Sequence, residues 1–321
     1  MILDRLRRPR AALDLTVAGL RVANPILLAA GTAAYGRELR EVVDLRRLGG
    51  IVTKAVSPLP RHGAPSPRVA EFQGGMINAI GLANPGLDDV VREHLPWLAH
   101  ELPEQRVLVN VVGSAVEDYA HVVAGIEAAF PAGARGVDAY ELNVSCPNVK
   151  AGGLEFGADP AALRDVVARA RAVTRRPLFA KLSPSLPDIA TSARVAVDAG
   201  IDGLTLVNTL PGLVIDVERR RPALGFGTGG VSGAGLLPVG VLATWKVRKA
   251  VGVPLVGVGG IAHGSDVLQY MMAGASLVAI GTAAMQDPRL PERLVRDLAR
   301  WCDRHGVARL ADVVGSLEWP T

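Results

Sequence analysis

The stretch PLFAKLSPSLPDIATSARVAVDAGIDGLTLVN, residues 177–208, decides the architecture. It opens on a short apolar run, PLFAKL (177–182), with the length of a buried strand. Pro187-Asp188 then starts a helical segment over 187–199, where a first-turn proline and an acidic cap favour the entry. A second apolar run, DGLTLVN (202–208), follows at once. Strand, helix and strand joined this closely form the repeating unit of a parallel sheet with crossover helices.

Outward from this unit the same alternation recurs. Strands are expected at PILLAA (25–30), GIVTKA (50–55), RVLVNVV (106–112), DAYELNV (138–144), PLVGVG (254–259) and SLVAIG (276–281), besides the two already quoted. Helices are expected near 37–48, 86–98, 115–129, 159–175, 234–251, 264–273 and 288–305, with Asp159-Pro160 as a second clear start signal. Eight such units predict an α/β fold of the closed (β/α)8 TIM-barrel type, not an open doubly wound sheet. Two long insertions, Ser57–Pro85 after strand 2 and Thr209–Gly233 after strand 6, fall on the face where barrels build their sites. No linker interrupts the pattern, so residues 1–321 read as one domain, with 1–14 as an N-terminal extension.

Composition narrows the function. Apolar residues make up 49% and aromatics only 4%, which argues against a base-stacking nucleic-acid surface. Net charge is +4, with much of the excess in MILDRLRRPR (1–10), and no apolar signal region follows that start. The uncharged stretches 222–245 and 267–286 are broken by glycine, proline or polar residues, so neither reads as a membrane span. Two cysteines, Cys146 and Cys302, cannot form a disulfide framework and suit a reducing, cytoplasmic setting. Without a CxxC pair, an iron–sulfur cluster or thiolate zinc site within the chain is not expected.

The strand ends carry the chemistry. Lys54, Asn110, Asn143, Lys181 and Asn208 all fall late in, or at the end of, otherwise apolar strands. One such residue is an ordinary satisfied polar group. Five at the same end of different strands point to a shared ligand site, because each buried polar group needs a partner. Gly259-Gly260 and Gly281-Thr282 follow strands 7 and 8, where barrels commonly hold a phosphate, and 230–235 offers a third glycine-rich loop. GVGGIAHG falls at the seventh strand, outside any Rossmann context. Cys146, in NVSCPN (143–148), sits among polar neighbours past a strand end and suits a nucleophile or a proton acceptor, whereas Cys302 fits an inert helix position beside Trp301.

These residues and motifs resemble the dihydroorotate dehydrogenase family. The resemblance rests on NVSCPN (143–148) with NAIGLANPG (78–86), and on VTKA around Lys54, VNVVGS (109–114), KLSP (181–184), VNTLPG (207–212), TGGVSG (228–233), VGGI (258–261) and AIGTA (279–283). It spans about 15–310, and its details are most similar to the NAD-linked class 1B catalytic subunit within the cytosolic class 1 enzymes; the cysteine at 146 separates it from the membrane-associated class, which uses serine.

The resemblance implies oxidation of dihydroorotate to orotate with FMN, and Cys146 as the base. It implies that Lys54, Asn78, Asn143, Asn148, Asn208 and Thr209 hold substrate, with Ala79, Ile80, Gly81 and Leu82 as one wall. It implies that Ala30, Lys54, Ala55, Asn110, Asn143, Lys181 and Val207 line the flavin, and that Gly233, Gly259, Gly260, Gly281 and Thr282 hold its phosphate end. The family often has a serine at the end of its first strand. Here the position is Ala30, with Thr32 two residues on, so only a backbone contact is expected there.

A homodimer core is expected, joined into a heterotetramer by a partner subunit carrying FAD and a 2Fe–2S cluster. The competing readings are a fumarate-linked homodimeric enzyme, another FMN barrel acting on a pyrimidine, and a flavin-free barrel for a phosphorylated metabolite. An RNA-acting relative would want a basic face and an RNA-binding domain, and neither is seen.

Overall fold

The computed structural model describes residues 11–145, 147–148 and 154–320. Eight parallel strands close into a barrel. We number them β1 (Ile26–Leu28), β2 (Gly50–Val52), β3 (Arg106–Val111), β4 (Ala139–Asn143), β5 (Leu178–Leu182), β6 (Gly203–Leu206), β7 (Leu255–Val258) and β8 (Leu277–Ile280). Each strand pairs with the next in chain order, and β8 returns to β1 through Val278↔Ile26. The expected barrel and its eight strands are therefore present, with ends trimmed by up to three residues.

The strands are apolar throughout because both faces are covered, one by the barrel interior and one by helices. Helix Pro160–Val173 shows how the outer layer is made. Leu163, Val166, Val167 and Ala170 recur at helical spacing and are fully buried, while the Asp159 carboxylate accepts the Ala161 and Ala162 N–H groups at its start. Burying each of the larger side chains stabilises by about 1.5–3 kcal/mol.

Two expected helices differ. Over 37–48 there are only two 3-10 turns, Arg37–Leu39 and Leu45–Arg47. Asp44 holds an extended backbone there and takes the Arg46 N–H on its side chain, a local bond that competes with helix continuation. The second helix runs Leu87–Glu101 but passes through a π segment, Val90–His94. Pro96 has no N–H for the Arg92 carbonyl, and its ring crowds that carbonyl and widens the preceding turn. The eighth is present as Leu290–His305, and an additional short helix, Thr282–Gln286, precedes it and stops before Asp287-Pro288.

The two insertions carry structure of their own. Val69–Phe72 and Gly75–Asn78 from the first pair with Gly229–Ser232 and Leu210–Gly212 from the second in a four-stranded antiparallel sheet. At the other end of the chain, the Leu310 N–H donates to the Ala12 carbonyl at 2.9 Å, tying the start of the described chain to its last turn. Residues 1–10 of the expected extension lie outside the described residues.

Candidate active site

Register places the site. Asn110 lies beside Glu141, Asn143 beside Lys181, and Lys181 beside Thr205. Side chains alternate along a strand, and residues opposed in register share a face. Asn110, Glu141, Asn143, Lys181 and Thr205 therefore all project into the barrel, where Glu141 gathers two of the others. The Glu141 carboxylate accepts from Asn110 Nδ2 and from Thr205 Oγ1, each at 2.7 Å. Asn110 is 0% and Glu141 1% exposed, and the Lys181 side chain is buried as well.

Toward the mouth a second network begins. Asn208 Nδ2 donates to Ser145 Oγ at 2.6 Å, Ser145 Oγ donates to Asn143 Oδ1 at 3.1 Å, and Tyr119 Oη donates to the Asn143 carbonyl at 2.9 Å. Asn208 Oδ1 accepts the Thr209 N–H, and Thr209 packs against Gly230, where any Cβ would strike its hydroxyl. The Gly230 carbonyl in turn accepts from Asn78 Nδ2 at 3.3 Å, and Gly230 lies opposite Asn78 in the antiparallel sheet. Asn78, Asn143, Asn208 and Thr209 thus form one connected rim. The wall Ala79–Leu82 is held by its own insertion: Ala79 N donates to the Arg68 carbonyl, Ala64 N donates to the Ile80 carbonyl, and Gly81 and Leu82 take positive φ of 68° and 57°.

Lys54 lies two residues beyond β2, half-buried, with its N–H on the Ala34 carbonyl. The neighbouring Ala55 carbonyl accepts from Tyr35 Oη, and Val207 is buried with its N–H on the Val258 carbonyl. Ala30 is half-buried past the end of β1, one residue after Ala29, whose Cβ lies 4.0 Å from the Cβ direction of Gly281.

The glycine loops also converge. Thr282 Oγ1 donates to Ser232 Oγ at 2.7 Å, joining the loop after β8 to the one after β6. Gly260, at φ +72°, abuts the Leu237 backbone nitrogen, and Gly233, at φ +113°, leaves only 2.6 Å between its Cβ direction and Gly75 Cα. In both, backbone approaches backbone, which only glycine allows. Gly259 packs on the Leu236 side chain. Gly281 differs, since nothing lies closer than 3.9 Å to its Cβ direction.

Cys146, the expected base, lies outside the described residues. Beyond it, Pro147 opposes Glu155 and Asn148 opposes Leu154 in a short antiparallel pair. Burial pushes the Glu155 carboxyl up, partly offset by the Ser183 hydroxyl that donates to it at 3.1 Å. Cys302 is fully buried, and burial first, then Asp303, pushes its thiol above the ordinary range, consistent with an inert position.

The chemistry of the interior residues suits the edge of a flavin ring. Asn110 Oδ1 is buried without a hydrogen-bond partner among the described residues, and Lys181 has no ion-pair partner among them. A buried acceptor and a buried ammonium facing one space match the mixed donor and acceptor edge of a flavin pyrimidine. The converging loops after β6, β7 and β8 lie where barrels commonly hold a phosphate. Glu141, Ser145, Thr205 and Ser232 join the expected residues. Glu141 is detectable by the reasoning that finds Lys181, since a carboxylate inside an apolar strand also demands partners.

A parallel barrel with this polar mouth defines a TIM-barrel enzyme. The family model for dihydroorotate dehydrogenase matches residues 12–301. The chain is 45% identical over 307 residues to the dihydroorotate dehydrogenase B (NAD(+)) catalytic subunit of Pelobacter propionicus, covering 95% of this chain and 99% of that one. It is 44% identical over 303 residues to the protein of the same name from Geobacillus kaustophilus, covering 94% of each. It is also 44% identical, over 95% of its length and 98% of the other, to a Solibacter usitatus protein provisionally named dihydroorotate dehydrogenase A (fumarate). The chain belongs to the dihydroorotate dehydrogenase family.

Proposed function

We propose that this chain oxidises dihydroorotate to orotate in pyrimidine biosynthesis, as a single cytoplasmic FMN-binding barrel. The observation that carries the reading is the rim that joins Asn78, Asn143, Asn208 and Thr209 above a buried Lys181 and an unmatched Asn110 Oδ1. Neutral amides held in fixed orientation suit the imide edge of a dihydropyrimidine.

Lys54 is assigned to the substrate carboxylate, with Asn148 beside the base and Ala79–Leu82 closing one side against water. Cys146 takes the proton from the carbon next to the ring carbonyl, an acidified position that needs a base held against it and dipoles on the developing charge. Bound FMN would supply the hydride acceptor for the adjacent carbon. Asn110, Asn143 and Lys181 hold the ring edge, with Lys54, Ala30, Ala55 and Val207 against it. Gly233, Gly259, Gly260, Gly281 and Thr282 hold the phosphate end. Anaerobic mixing of the purified yellow protein with dihydroorotate tests this: flavin absorbance is expected to bleach, and an unchanged spectrum overturns the assignment.

For the electron acceptor we favour the NAD-linked arrangement, in which a homodimer core joins a partner subunit carrying FAD and a 2Fe–2S cluster. The naming of similar proteins as catalytic subunits supports it. Copurification of such a subunit, with NAD+ then reoxidising the flavin, is the expected result. Fumarate turnover by the chain alone favours the other subclass.

A further inference from the structure

Glu141 is an unusual residue to find inside a barrel. It lies in β4, AYELN, every residue of which is buried, and no basic side chain pairs with it among the described residues. Its two oxygens are each committed to one neutral donor, Oε1 to Asn110 Nδ2 and Oε2 to Thr205 Oγ1. A carboxylate only accepts, so Asn110 must turn its amide nitrogen toward Glu141. Asn110 Oδ1 is thereby forced to face away, and it is a side-chain oxygen left unmatched in the interior. Two residues further along β4, Asn143 stands beside Lys181, so the next layer toward the mouth presents a cation.

We propose that Glu141 is a positioning residue for the cofactor, resting on the flavin reading above: it locks the Asn110 amide so that an acceptor, and never a donor, meets the ring. The flavin's pyrimidine edge carries one imide N–H between two carbonyls. An acceptor from Asn110 suits the N–H, and the Lys181 ammonium suits a carbonyl. A glutamine in place of Glu141 loses this control, because its own amide nitrogen can donate to Asn110 Oδ1. Asn110 then turns over and sets its NH2 against the imide N–H.

The test is a set of three variants, Glu141→Gln, Asn110→Asp and the double variant, compared with wild type for FMN dissociation constant and flavin midpoint potential. Glu141→Gln is expected to weaken FMN binding about tenfold, the size of one mispaired hydrogen bond, and to move the potential to more positive values by removing a negative charge. Asn110→Asp sets two carboxylates against each other and is expected to weaken binding and move the potential to more negative values. The double variant restores one carboxylate and one amide, with the donor now supplied from β4 and an acceptor again left toward the ring. It is expected to recover binding to within about threefold of wild type.

Equal FMN affinity and potential in Glu141→Gln and wild type overturns the proposal. A folded double variant no better than the weaker single variant does the same. Should Glu141→Gln not fold, the double variant decides alone, and failure of both to fold overturns a positioning role in favour of a purely structural one. Absence of FMN binding by the wild-type protein is a separate outcome, which removes the flavin reading itself.

Discussion

Asn208 donates to Ser145 at 2.6 Å, and through that hydroxyl the loop after β6 is tied to Asn143 at the end of β4. The serine bridges two amides assigned to substrate, and it sits one residue before Cys146. Replacing Ser145 by alanine removes a donor and an acceptor from a buried chain, worth about 1–2 kcal/mol. We expect kcat/KM for dihydroorotate to fall about five- to thirtyfold with FMN content unchanged, read by steady-state kinetics and flavin absorbance on the same preparation.

Cys146→Ser replaces the assigned base with a much weaker one. Flavin reduction by dihydroorotate, followed by stopped flow, is expected to slow by about a hundredfold or more, while FMN remains bound. Unchanged reduction kinetics would remove Cys146 from the reaction.

Lys181 is buried among strands with no counter-ion among the described residues. In Lys181→Met the expected result is FMN binding weaker by about ten- to hundredfold, since hydrogen bonds to charged groups carry about 1.5–3 kcal/mol. The residual flavin should show a more negative midpoint potential, measured by anaerobic dye-coupled titration.

Gly260→Ala introduces a methyl against the Leu237 backbone at φ +72°. We expect a loss of about 1–3 kcal/mol in stability, seen as a lower Tm in thermal denaturation. Because the strain falls in the loop after β7, added FMN should recover less of that Tm in the variant than in wild type.

Away from the site, Glu127 accepts from Tyr140, from Thr174 at 2.5 Å and from Arg176. Burial alone would raise its carboxyl, but these donors and the guanidinium hold it below the ordinary range. A depressed folded-state pKa adds stability above the unfolded value of 4.5, and that increment is lost as pH falls through the folded value. Tm plotted against pH should therefore drop more steeply below that range in wild type than in Glu127→Gln.

Much of this architecture is legible in the sequence. The apolar runs with polar ends locate all eight strands, because a strand buried on both faces leaves few other patterns available. Lys181, Asn110 and Asn143 stand out by the cost of burying a polar group. Glu141 sits mid-strand, away from the polar ends, yet the same cost of burying a polar group marks it. The sheet formed by the two insertions, by contrast, is hidden. Its central pairing joins residues about 150 apart, such as Asn78 and Gly230, and the two strands that make it hold glycines and partly exposed side chains with little alternation to detect. The turns over 37–48 pass for a helix in the sequence because the local Asp44 bond, which outweighs average propensity, leaves no periodic signature.

The seam between Met76–Asn78 and Gly230–Ser232 makes one panel of two segments that the chain separates widely. One end of that panel holds Asn78, and the other presents Ser232 to Thr282. Backbone bonds run without a break from the Thr282 end of the panel to the Asn78 rim. On the assignments proposed above, a cofactor tail held at Thr282 would brace the same panel that carries Asn78, and the two ligands would share one support.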